Sequence, residues 1–145
     1  MIAVEDFMTR DLVTVRATDD VALAESLLRL GGIRHLPVVQ EGRLVGLVTH
    51  RDLLRAAAAP SPRERPVCEI MTRAVETVRP GTGLAQAAQL MLERKFGCLP
   101  VCDARGGLVG IVTEADFVRF AADVVRDLDL VAQAVHADGG SGPAS

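Results

Sequence analysis

The chain has 145 residues, 49% of them apolar, and a formal net charge of -3. That length suits one compact domain or two small paired ones. With no basic block and no Tyr or Trp, it lacks the charge and the aromatic platforms of a nucleic-acid binder.

Taken in chain order, Val4 to Met8 reads as a helical turn that delivers Phe7 and Met8 to the core. Val13 to Val15 reads as a short strand. Thr18-Asp19-Asp20 then offers capping oxygens and acidic charge at a helix start. The helix runs to about Leu30, with Val21, Ala24, Leu27 and Leu28 as its core face, and Gly31-Gly32 ends it. Leu36 to Val39 and Leu44 to Val48 are strands joined by the Glu41-Gly42 turn. The second is continuously apolar, as expected when both faces are covered. Thr49 begins a second helix. From Ala56 to Pro66, three prolines (Pro60, Pro62 and Pro66) forbid a continuous helix, so this stretch reads as a linker.

The chain then repeats itself. Asp6-Phe7-Met8-Thr9-Arg10 recurs as Glu69-Ile70-Met71-Thr72-Arg73, Thr14-Val15-Arg16 as Thr77-Val78-Arg79, and Leu36-Pro37-Val38 as Leu99-Pro100-Val101, all at an offset of 63. Leu44-Val45-Gly46-Leu47-Val48-Thr49 and Asp52 recur at an offset of 64 as Leu108-Val109-Gly110-Ile111-Val112-Thr113 and Asp116. The one-residue slip falls in a Gly-containing turn, where an insertion costs little. In the second copy the helical core face becomes Leu84, Ala87, Leu90 and Met91. The predicted fold is therefore α+β: two β-α-β-β-α repeats packed with pseudo-two-fold symmetry. The first covers residues 1–59, the linker 60–66 and the second 67–136, with a disordered tail over 137–145. The last helix carries a long apolar stripe (Phe117, Phe120, Ala121, Val124, Val125, Leu128, Val131 and Val135) to about His136. It either folds back on its own module or packs on a partner subunit.

In order, spacing and double occurrence these motifs resemble a tandem pair of CBS (cystathionine β-synthase) domains, a Bateman module, over about residues 2 to 120. The resemblance implies a free-standing regulatory module that binds AMP, ADP, ATP or S-adenosylmethionine in clefts between the repeats. It implies no required cofactor and no catalysis.

The chemistry would sit where a strand feeds a helix start at Thr49-His50-Arg51-Asp52, a place whose free amides attract phosphate. The Thr49 hydroxyl can donate to a phosphate oxygen, and the Asp52 carboxylate can accept a ribose diol. Thr113 and Asp116 match them. Thr-x-x-Asp is equally a capping pattern that needs no ligand. Cations are expected from Arg34, His35 and Arg51 in repeat 1 and from Arg94 and Lys95 in repeat 2, where Gly97 and Cys98 replace the Arg-His pair. Each has a plainer reading: a hydrogen-bonded histidine, a solvated arginine, or charges complementing a helix end. The base would lie against Thr14, Val15, Leu36 and Pro37 in one cleft and Thr77, Val78, Cys98, Leu99 and Pro100 in the other.

The histidines have no metal-ligand spacing, and no nucleophile, base and orienter converge. The three cysteines (Cys68, Cys98 and Cys102), without a secretory leader, point to a cytoplasmic protein, and no apolar run approaches the roughly 18 to 20 residues that span a membrane. Two functions stay open. One is an adenosyl-ligand sensor that reports to a regulated partner. The other is a structural module, a homodimer built through the last helix.

Overall fold

The structure, a computed structural model, describes the backbone of residues 1–140 and the side chains of residues 1–137. Its elements run β1 (Val15–Arg16), α1 (Val21–Gly31), β2 (His35–Gln40), β3 (Arg43–Thr49), α2 (His50–Ala56), α3 (Leu84–Arg94), β4 (Cys98–Cys102), β5 (Leu108–Thr113) and α4 (Glu114–Gly140). Single 3-10 turns lie at Val4–Asp6, Pro62–Glu64 and Val67–Glu69. The chain divides into two compact units, residues 1–112 and the segment from Thr113 onward.

Local chemistry accounts for most boundaries. The Asp20 carboxylate accepts the Leu23 N–H at the start of α1, and Gly32 ends that helix in the left-handed region at φ 60°. Glu41 and Gly42 both have positive φ, the turn that matches the twist of a two-residue hairpin. β1 pairs parallel with β2, and β2 pairs antiparallel with β3. The first strand is shorter and later than its sequence suggests. Only Val15 and Arg16 reach β2, opposite Val38 and Val39, while Val13 is 45% exposed. In repeat 2 the matching strand shrinks to one parallel bridge, Val78 to Val101.

The two repeats exchange their leading arms. The chain before α1 hydrogen-bonds to the segment before α3: Val4 N–H to Thr82 O at 2.7 Å, and Leu84 N–H to Ile2 O at 2.8 Å. Shifted by one repeat, the same bonds recur as Val67 N–H to Asp19 O at 2.7 Å and Val21 N–H to Arg65 O at 2.9 Å. Thr9 pairs with Ile111 as Thr72 pairs with Leu47, and Arg43 bridges Gly107, its own counterpart. This swapping of partners is the pseudo-two-fold symmetry.

Packing follows the exchange. The first repeat's core of Val15, Ala24, Leu28, Leu36, Val38 and Val48 is completed by Val67, Ile70 and Met71 from the second arm. Val67 is fully buried. Burying one such side chain is worth about 1.5–3 kcal/mol, enough to hold a short arm in place. Gly46 and Gly110 let the arms approach. A Cβ on Gly46 would lie 2.9 Å from the Thr72 carbonyl oxygen, and one on Gly110 would lie 3.1 Å from that of Thr9.

The last helix differs from its sequence reading. It runs past His136 through 137–140, positions expected to be disordered, while 141–145 lie outside the described residues. Every side chain from 121 to 137 is exposed, Leu128 to 61% and Val135 to 64%.

Candidate functional site at the strand-to-helix corners

β3 ends at Thr49 and α2 starts at His50, so the chain turns a corner beside the start of β2. Strand register sets His35 opposite Thr49, Leu36 opposite Val48, and Pro37 opposite Leu47. One turn into α2, Asp52 is 2% exposed. A carboxylate this buried needs donors, and it has four. Its Oδ2 accepts the Thr49 N–H at 2.9 Å and the Thr49 hydroxyl at 3.3 Å. Its Oδ1 accepts the Arg55 guanidinium and, at 3.0 Å, the Thr72 hydroxyl from the second arm. The second corner repeats the design. Asp116, 6% exposed, accepts the Thr113 N–H at 2.9 Å and the Arg119 guanidinium at 2.6 Å, and its own N–H donates to the Thr113 hydroxyl at 3.2 Å.

The capping reading of Thr-x-x-Asp is therefore realised at both corners. At the first helix start the Thr49 N–H is turned onto Asp52, closing the cap of a seven-residue helix. What remains available chemically is the carboxylate itself. The Arg55 side chain is 68% exposed, and its departure would open one of the two positions taken on Oδ1, the other being held by the Thr72 hydroxyl.

The other expected residues divide by burial. Arg34 and Arg51 are exposed and His35 is half-buried. Gly97 makes room for His35: a Cβ there would lie 2.7 Å from His35 Nε2, so any larger residue at 97 would require the imidazole to shift. Arg94 and Lys95 are exposed at the end of α3, and Lys95 takes the left-handed conformation, φ 57°, that Gly32 takes in repeat 1. Val15, Leu36, Val78 and Leu99 face the cores, so their side chains cannot also wall a cleft. The Val78 N–H and carbonyl are already spent on Pro100 O, at 3.0 Å, and Cys102 N–H, at 2.9 Å. Pro37 and Pro100 are buried and Thr14 is half-buried. Cys98 packs between Leu47 and Ile111, and burial pushes its thiol pKa up to about 12.

Thr77, which is exposed, lines a cavity of about 350 Å³. Its other walls include Leu44, Val45 and Gly46 of β3, and Arg73 and Arg79. Thr49, Asp52 and His35 do not line it.

Sequence reasoning missed Arg55 and Thr72. A signal for the first was present, because Thr-x-x-Asp-x-x-Arg occurs twice, ending in Arg55 and Arg119. Among the described residues no cluster of His, Cys, Asp and Glu could hold a metal, and no helix is long and apolar enough to cross a membrane.

Comparison with known proteins fits this geometry. The CBS domain family model matches twice, over residues 4–59 and 67–123. The CBS domain-containing protein YhcV of Bacillus subtilis is 35% identical over 117 residues, covering 80% of this chain and 83% of YhcV. The crystal structure of CBSX2 in complex with AMP superposes with a TM-score of 0.78 at 36% identity, covering 86% of this chain and 98% of that one. The CBS domain pair of protein MJ0100, in complex with 5'-methylthioadenosine and S-adenosyl-L-methionine, gives 0.75 at 31%, covering 85% and 98%. Other curated relatives are longer proteins of which this chain spans less than half. The chain belongs to the CBS domain family and is a tandem pair of its repeats.

Proposed function

We propose that the chain is a non-catalytic sensor that binds an adenosyl ligand, AMP, ADP, ATP or S-adenosylmethionine, at its strand-to-helix corners and reports occupancy to a partner protein. The buried Asp52 carboxylate carries this reading, because one of its oxygens is held by an exposed, displaceable guanidinium. A ribose diol supplies two donors to such an oxygen, and the released Arg55, with exposed Arg34 and Arg51, supplies cations for phosphate. The relatives that carry AMP and S-adenosyl ligands support the ligand class. Three free thiols suit a cytoplasmic setting.

Titration calorimetry tests the proposal. Wild-type chain binds at least one of the four ligands, and Asp52→Ala weakens binding by about 1.5–3 kcal/mol, the scale of lost charge-assisted hydrogen bonds. Asp52→Asn, which keeps the shape and one acceptor, guards against a folding defect. Silence from wild-type protein at millimolar ligand would sink the sensor reading.

The exposed stripe of α4 favours a second role, self-association as a homodimer. Phe117, Ala121, Val124, Leu128, Val131 and Val135 follow the alternating four-three spacing of a helix-pairing seam. Sedimentation of a chain ending after Phe120 decides it: assembly should be lost, and an unchanged assembly would exclude α4.

A further inference from the structure

Thr72 lies in the second repeat's arm, 20 residues from Asp52, yet its hydroxyl donates to Asp52 Oδ1 at 3.0 Å. We infer that Thr72 is an affinity-determining residue that competes with the ligand for Asp52 and links occupancy of that corner to the contact between the repeats. This rests on the proposed ribose role of Asp52.

The inference follows from the number of acceptor sites. A carboxylate offers roughly four lone-pair positions, and Asp52 meets four donors within the chain itself. A ribose diol must displace two of them. The Thr49 N–H is fixed by the backbone and closes the capping box, and the Thr49 hydroxyl sits with it on the other oxygen, Oδ2. The two donors on Oδ1, Arg55 and Thr72, are the ones that can leave. Arg55 ends in an exposed side chain. Thr72 needs only a side-chain rotation, because its backbone stays pinned to Leu47 by hydrogen bonds of 2.8 and 2.9 Å. Ligand therefore gains its second hydrogen bond by removing the Thr72 bond, which joins an α2 residue of repeat 1 to the arm of repeat 2. The arm stays docked through Val67, Ile70 and Met71 but loses its polar tie to the corner.

Thr72→Val keeps the shape and deletes the donor, leaving Asp52 one hydrogen bond short until ligand arrives. Calorimetry with AMP should show Thr72→Val binding about 3- to 10-fold tighter than wild type, the net worth of one hydrogen bond. Thr72→Ser, which keeps the hydroxyl, should match wild type. The ligand-free valine variant should also melt at a lower temperature, and saturating AMP should narrow that gap. Equal or weaker AMP binding by a folded Thr72→Val protein, with wild type binding normally, would overturn the competition and leave the sensor reading intact. Absence of binding by wild type and both variants, with AMP and with ADP, ATP and S-adenosylmethionine in its place, would remove both.

Discussion

Gly46→Ala tests the arm exchange that brings Thr72 to the first corner. The new Cβ would stand 2.6 Å from Met71 Sδ and 2.9 Å from the Thr72 carbonyl oxygen. The methionine is flexible and can yield at small cost. The carbonyl cannot: it is backbone, held by the Leu47 N–H at 2.9 Å. Overpacking of this kind costs about 1–3 kcal/mol. Stretching the Leu47–Thr72 pair adds a share of the roughly 0.5–1.5 kcal/mol that each hydrogen bond nets. Alanine's smaller unfolded-state entropy offsets about 0.4–1 kcal/mol. The balance is a loss of about 1.5–2 kcal/mol, read as a lower urea midpoint at unchanged slope. Gly81→Ala is the control, since nothing lies within 4 Å of a Cβ there. If both variants unfold within about 0.5 kcal/mol of each other, the ordinary scatter of surface changes, the tight arm contact has no energetic meaning.

Two further outcomes follow from local geometry. Lys95 holds a left-handed backbone at φ 57° where repeat 1 has Gly32, so Lys95→Gly should raise stability by about 1 kcal/mol in urea unfolding; a loss of stability would mean the lysine side chain makes a contact worth more than the strain. The Asp103 carboxyl is held below its usual pKa, chiefly by backbone N–H donors from Gly107 and then Arg105. A lowered folded pKa gives a contribution fully present above about pH 4 and lost as pH falls through the folded value. Thermal melts of wild type and Asp103→Asn should differ most near neutral pH and converge on acidification. A gap that widens in acid would contradict the sign.

The repeat, the hairpin and the core faces of α1 and α3 were legible because each is encoded locally. Asp20 caps, Gly32 terminates, and Val21, Ala24 and Leu28 recur at helical spacing. The Thr-x-x-Asp corners were legible for the same reason. The destination of the arms was not. Met8 and Met71 occupy equivalent places in matching motifs, and local periodicity cannot say that each packs against the other repeat's glycine. The Thr72–Asp52 bond was hidden with them, since it forms only once the arms have crossed. Val13 looked like strand on hydrophobicity alone, but β1 has a partner only from Val15 onward. The stripe on α4 announces a need for cover without naming what provides it.

The measurement closest to the central claim is a calorimetric comparison of AMP with its 2'-deoxy analogue on the wild-type chain. If Asp52 receives the ribose diol, AMP binds about 10-fold or more tightly than the analogue, and Asp52→Ala erases the difference. Equal affinities for the two ligands, or a preference that survives in Asp52→Ala, would contradict the assignment.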